Sequence, residues 1–145
     1  MIALIQRVST ARVDVDGVTI GEIGKGLLGL VAIEREDGEQ EATTMLRRIL
    51  GYRVFPDRAG KMNLSIVDVQ GGMLLVPQFT LAADTHKGTR PSFSPAATPQ
   101  HGRMLFEFLL SQATICYNHV TSGQFGADMQ VTLTNDGPVT FLLRT

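Results

Sequence analysis

The sequence predicts an α+β fold: one domain spanning residues 1–145, built as a mostly antiparallel sheet or barrel carrying two helices. Three observations point there. Most of the apolar content lies in short β-branched runs punctuated by Gly, Asp and Pro. Only two stretches change to a helical period. The length of 145 residues, with 43% hydrophobic and 19% charged content, suits one folded unit able to bury a real core.

The elements follow in order. Residues 2–8 and 11–15 are β-rich, and Asp16-Gly17 turns the chain into "VTIGEI", a hairpin signal. The apolar run "LLGLVAI" at 27–33 reads as a strand buried on both faces. From Gly38, the residues Ala42, Met45, Leu46, Ile49 and Leu50 fall on one helical face. "YRVFPD" ends that helix, and Asp57 to Gly60 is a turn. "SIVDV" and "GMLLVPQFTL" read as two further strands around Gly71-Gly72. A polar loop covers 83–97. Thr98-Pro99 then places an N-cap and a first-turn proline at the head of a second helix, carrying Met104, Leu105, Phe108 and Leu109. The chain closes with two apolar runs, "MQVTL" and "VTFLL", around the turn signal "NDGP".

Several function classes drop out. A formal net charge of −1 argues against a broad nucleic-acid face, though a local basic patch is compatible with it. No apolar run approaches the roughly 18 residues of a membrane span, and the first residues read as a strand with no leader pattern. The single cysteine, Cys116, allows no internal disulfide, fits a reducing cytoplasm, and reads as a small buried hydrophobe. His86, His101 and His119 show no ligand spacing, so neither a metal nor another cofactor is expected. "GEIGKG" at 21–26 lacks the rest of a phosphate loop and reads as a turn between strands. Thr80, Asp84 and His86 are close in sequence, but a triad is defined by geometry, not by proximity along the chain. The usual side-chain catalysts are nearly absent.

What remains are "QFTL" at 78–81, "KGTRPSF" at 87–93, "GQFGADMQV" at 123–131 and "NDGPVT" at 135–140, with the opening "MIALIQRV". In this order and at these distances they make the chain resemble the D-aminoacyl-tRNA deacylase family from end to end. The resemblance implies hydrolysis of the ester joining a D-amino acid to tRNA, and of glycine mischarged onto alanine tRNA. It implies a cytoplasmic homodimer with its site at the subunit interface, aminoacylated tRNA as partner, and no DNA or membrane partner. Gln78, Phe79 and Thr80 are the implied catalytic segment. Gly137 and Pro138 are the implied chiral selector, a Gly-cisPro step reaching into the other subunit's pocket, with Arg7 and Met129 bracing it. Lys87 and Arg90 would meet phosphate. One departure is Pro77, where the family commonly has Ser; a mechanism resting on main-chain atoms and the tRNA 2′-hydroxyl survives that change.

A main-chain selector answers why proline follows glycine at the mouth of a strand. Rejecting L esters by ~10⁴ needs ~5.5 kcal/mol, whereas a soft apolar pocket distinguishes a small group by only ~1–3 kcal/mol. Glycine removes the Cβ that would block close approach, and the proline ring stiffens the wall. Such a wall would reject an L side chain at the α-carbon, tolerate any D side chain and pass glycine. The alternative from another class is a non-catalytic, RNA-end-binding dimer, which Pro77 would suit. A third is an amide or peptide hydrolase using Thr80 with His86.

Overall fold

The computed structural model describes residues 1–145. Strand β1 (Ile2–Val15) is one continuous element of 14 residues rather than two; the exposed Ser9 and Thr10 at its middle stay extended. Asp16 (φ 51°) and Gly17 (φ 78°) both take left-handed backbone, the pairing a tight hairpin requires, and lead into β2 (Val18–Ile23), which pairs with Ala11–Val15. Strand β3 (Gly26–Ala32) pairs antiparallel with the first half of β1, from Ile2↔Ala32 to Val8↔Gly26. As its apolar run predicts, β3 is buried on both faces, with Leu27 and Leu28 each 1% exposed or less.

Of the predicted turn 21–26 only 24–25 is a bend; 21–23 complete β2 and Gly26 begins β3. Gly26 serves packing: a Cβ there would lie 1.8 Å from the Gly72 carbonyl oxygen, so only glycine permits that approach. Beyond it, β6 (Gly72–Pro77) runs parallel to β3, and β7 (Val120–Ser122) parallel to β6. The last strand, β8 (Gln130–Arg144), covers the other edge of β1 from Asp14↔Gln130 to Ile2↔Arg144. A short antiparallel pair, β4 (Phe55–Pro56) and β5 (Met62–Leu64), forms where only a turn was expected. Four of six strand pairings are antiparallel. A Cβ on Gly21 of β2 would lie 2.8 Å from Thr121 Oγ1 of β7, so the far edges of the sheet meet and the barrel nearly closes.

Helix α1 (Glu39–Gly51) buries the predicted stripe Ala42, Met45, Leu46 and Ile49. Helix α3 (Pro99–Cys116) starts at the predicted cap, Thr98 Oγ1 accepting from the His101 N–H at 3.3 Å. Both pack on one face of the sheet over Ala3, Ile5, Leu27, Met73 and Leu75. The opposite face, with Val8, Val13, Leu28, Leu74 and Val76, fills the barrel interior.

Four expectations are corrected. "SIVDV" is not a strand but a single helical turn, α2 (Ile66–Val69). Asp68 Oδ2 accepts from the Ser65 N–H at 2.8 Å while Ser65 Oγ accepts from the Asp68 N–H, and this capping box overrides the β-branched composition. The strand predicted through Leu81 stops at Pro77, and Phe79–Ala82 is a 3-10 turn. "NDGP" does not reverse the chain, since the residues on both sides of it pair with β1. Finally, Cys116 is exposed at the end of α3 rather than buried.

Candidate active site

The parallel pairing of β3 with β6 sets Val31 opposite Pro77. Proline has no N–H to continue a ladder. The Gln78 N–H instead donates to the Val31 carbonyl at 2.7 Å, and the chain winds into the turn 79–82, closed by Leu81 N–H to Gln78 O at 3.2 Å. Phe79 holds the first position of that turn, so its N–H has no partner within the turn. This elbow, the first turn of α3 and the segment 125–131 enclose a cavity of about 460 Å³.

The cavity lining carries no titratable side chain. Its side-chain polar groups are those of Gln78 and Thr98, and the rest of the wall is main chain, Val, Ile, Pro, Phe, Ala, Gly and Met. Thr98 is already committed to capping α3. That leaves the Gln78 amide, the Phe79 N–H and the positive end of the α3 dipole to act on a polar ligand. Thr80 is outside the lining; its Oγ1 accepts a hydrogen bond from Gln78 Nε2 at 2.5 Å. Met129 is in the wall, its sulfur accepting from the Gln124 N–H at 3.3 Å, and a Cβ on Gly123 would lie 2.7 Å from that sulfur. Within this chain Met129 therefore supports the cavity. Phe79 is 57% exposed and packs on Phe93, ring centroids 5.1 Å apart.

The second motif forms a separate structure. Between the pairs Val8↔Asn135 and Gln6↔Thr140, β1 has the single residue Arg7 and β8 has four residues, 136–139. The extra residues bulge from the strand, and the Gly137–Pro138 bond within them is cis. Asn135 staples the base: its Oδ1 accepts from the Val139 N–H at 2.7 Å and its Nδ2 donates to Thr140 Oγ1 at 2.9 Å. Arg7 holds the bulge from the β1 side. Its Nε donates to the Asp136 carbonyl at 2.9 Å, with the Asp136 carboxylate at 3.4 Å, and its Nη1 donates to the Val54 carbonyl at 2.6 Å. Gly137 has φ +145°, where side chains are rarely accommodated. A Cβ there would lie 2.6 Å from Val139 Cγ2 and 3.2 Å from Arg7 Nη2.

The structure thus brings Gln78, Phe79 and Met129 to one cavity and Arg7, Gly137 and Pro138 to one bulge, and it does not bring the two groups together. Gly137 and Pro138 are exposed and do not line the cavity. Lys87 and Arg90 are exposed in the polar loop. His86 is also exposed there, and its backbone N–H, not its ring, engages Asp84 Oδ1 at 3.0 Å. No group of three or more His, Cys, Asp or Glu is placed to hold a metal. No helix is long and apolar enough to cross a membrane. Sequence reading missed the contribution of α3 and residues 125–127 to the cavity; the strong Thr98-Pro99 cap fixed where that helix begins but not what it faces.

Comparison with known proteins gives a consistent result. The family profile described as D-Tyr-tRNA(Tyr) deacylase matches residues 4–144. A "D-aminoacyl-tRNA deacylase" of Methylococcus capsulatus is 61% identical over 144 residues, covering 99% of this chain and 94% of the relative. A protein of the same name from Pseudomonas paraeruginosa is 59% identical over 143 residues, covering 99% of both. Among solved structures, one called "c-Myc DNA Unwinding Element Binding Protein" superposes with a TM-score of 0.96 at 40% identity, covering 100% of this chain and 99% of that one.

Proposed function

The chain belongs to the D-Tyr-tRNA(Tyr) deacylase family, and from that premise we propose a mechanism as well as an activity. The protein is an enzyme, a D-aminoacyl-tRNA deacylase that hydrolyses the ester between a D-amino acid and tRNA. The observation that carries the mechanism is the cavity wall without a titratable side chain. Of this chain's own groups, those left to act on an ester there are main-chain groups and the Gln78 amide, together with what the substrate brings.

In the proposed mechanism the 3′ end of tRNA enters the cavity and places the ester carbonyl against the elbow 78–80. The Phe79 N–H donates to the oxyanion as it develops; one such donor is worth about 2.7–4 kcal/mol. Gln78, its side chain oriented by Thr80, lines the ester. Pro77 offers no donor and Gln78 N–H is already bonded to Val31, so the load falls on Phe79 and its neighbour. The ribose 2′-hydroxyl assists attack by water on the carbonyl, and the C–O ester bond breaks with the proton passing to the departing 3′-oxygen. Lys87 and Arg90, on the exposed loop, meet phosphate.

Chirality is assigned to the Gly137–Pro138 bulge of a second subunit. Two copies would form a homodimer in which each bulge enters the other's cavity; the separation of bulge and cavity within one chain supports this arrangement. The Gly137 carbonyl holds the substrate amine, and the bulge backbone excludes an L side chain. Glycine escapes exclusion, so glycine mischarged on alanine tRNA is also a substrate. Such a protein works in the cytoplasm, where charged tRNA is found.

The test is a paired hydrolysis assay of D-Tyr-tRNA and L-Tyr-tRNA with purified protein and no added metal. Loss of the D ester alone is expected. Binding of tRNA with turnover of neither ester would replace this reading with that of a non-catalytic RNA-end-binding dimer.

A further inference from the structure

Arg7 joins the Gly137–Pro138 bulge to a second feature that the mechanism does not use. The same guanidinium that donates to the Asp136 carbonyl also donates to Val54, the residue that leads into the β4–β5 hairpin. Wherever the bulge goes, the hairpin goes with it.

That hairpin is basic. Arg53, Arg58 and Lys61 are exposed, and Lys25 joins them with its Nζ 6.0 Å from the Phe55 ring. None of the four takes part in an ion pair within 4.0 Å, while Arg7, Arg12, Arg103 and Arg144 do. Within the segment 53–61 the one acid, Asp57, stands against Arg53, Arg58 and Lys61, an excess of two positive charges in a chain whose net charge is −1. The Asp57 carboxylate is turned inward on the hairpin: it accepts from the N–H groups of Ala59 (2.8 Å) and Lys61 (3.0 Å) and from Asn63 Nδ2 (2.7 Å). It shapes the turn on which Arg58 and Lys61 are exposed.

We propose that the basic hairpin 53–61 with Lys25 grips the phosphodiester backbone of the tRNA arm whose 3′ end lies in the partner subunit's cavity. This rests on the proposed seating of the bulge in that cavity, since Arg7 then carries the hairpin to the cavity's mouth. Exposed, unpaired Lys and Arg on a fixed loop suit a sequence-independent phosphate contact, and such contacts weaken as salt releases their advantage. The substrate is thereby bound by both subunits: its ester by one, part of its backbone by the other.

The experiment compares wild type with Arg58→Glu/Lys61→Glu on two substrates, full-length D-Tyr-tRNA and the 3′-D-tyrosyl ester of adenosine, which has no phosphate backbone. The double variant should lose about ten-fold in kcat/KM on the tRNA, mainly through KM, and nothing on the adenosine ester. The slope of log(kcat/KM) against log salt on tRNA should become shallower by about 1 to 2. Thermal unfolding checks that the variant is folded. Should the charge reversals prevent folding, Arg58→Gln/Lys61→Gln replaces them, with a smaller loss in the same direction. Equal loss on both substrates, or no loss on tRNA, overturns the proposal. Wild type that cleaves neither substrate instead overturns the deacylase mechanism itself, and the hairpin's role with it.

Discussion

Arg7 Nε donates to the Asp136 carbonyl at 2.9 Å, so a residue on the first strand fixes the conformation of a bulge 129 residues later. The guanidinium reaches Asp136 and Val54 together because its donors diverge in a fixed fork. A lysine at this position has a point charge and cannot span both carbonyls. Arg7→Lys should therefore loosen the bulge without unfolding the protein. Each lost charged hydrogen bond costs about 1.5–3 kcal/mol, and the low end of that range corresponds to about ten-fold in discrimination. The D-to-L ratio of deacylation rates should fall by that factor. An unchanged ratio would show that the bulge holds its shape without Arg7.

Gly137→Ala attacks the same bulge from within. The new methyl would sit 2.6 Å from Val139 Cγ2 at a φ of +145°, a conflict that backbone movement alone can relieve. The expected result is a loss of D-Tyr-tRNA deacylation of about 100-fold or more with only a modest fall in Tm, since 136–138 are exposed. Full activity in this variant would remove Gly137 from the mechanism.

The same two motifs show what the sequence could and could not disclose. Local signals transferred well. The Asp16-Gly17 turn, the Ala42–Ile49 stripe and the Thr98-Pro99 cap are each decided by neighbours a few residues away, and each is found where it was read. "NDGP" misled because its turn chemistry is real but its consequence is set by β1: with both flanks paired to one strand, four residues opposite Arg7 can only bulge. "SIVDV" has strand composition, but the reciprocal Ser65–Asp68 cap decides it as a helical turn. The cavity itself was illegible, since Val31, Gly102 and Phe125 meet there only through pairings across the whole chain.

The carboxyls of Asp57 and Asp68 give a pH test of the fold. Both are held below their ordinary value of 3.8, Asp57 chiefly by the Asn63 amide and Asp68 chiefly by the Ser65 hydroxyl. A carboxyl whose folded pKa is depressed contributes stability above its unfolded value. That contribution is lost as pH falls through the folded value. Denaturant midpoints should hold steady above about pH 5 and decline below pH 4. In Asp68→Asn the decline should be shallower, because one of the three depressed carboxyls, Glu41 being the third, no longer titrates. An acid limb as steep as that of wild type would mean that Asp68 gains nothing from its cap.

Thr80 separates a positioning role from a chemical one. Its hydroxyl lies outside the cavity and accepts from Gln78 Nε2, which fixes the direction of the only side-chain amide in the wall. If that is its whole task, Thr80→Ser should keep full activity. Thr80→Val, similar in shape but with no acceptor, should leave the Gln78 amide free to rotate and lower kcat by about ten-fold, the effect of one neutral hydrogen bond. The pH–rate profile should stay the same in both, because neither variant removes a titrating group. His86→Ala should change nothing, as the His86 ring makes no hydrogen bond to Thr80 and sits on the exposed loop. Two results would contradict this account: a collapse of activity in His86→Ala, or a Thr80→Val variant that shifts the pH profile. Either would place a proton-transferring side chain in a mechanism that the cavity wall leaves to main-chain and substrate groups.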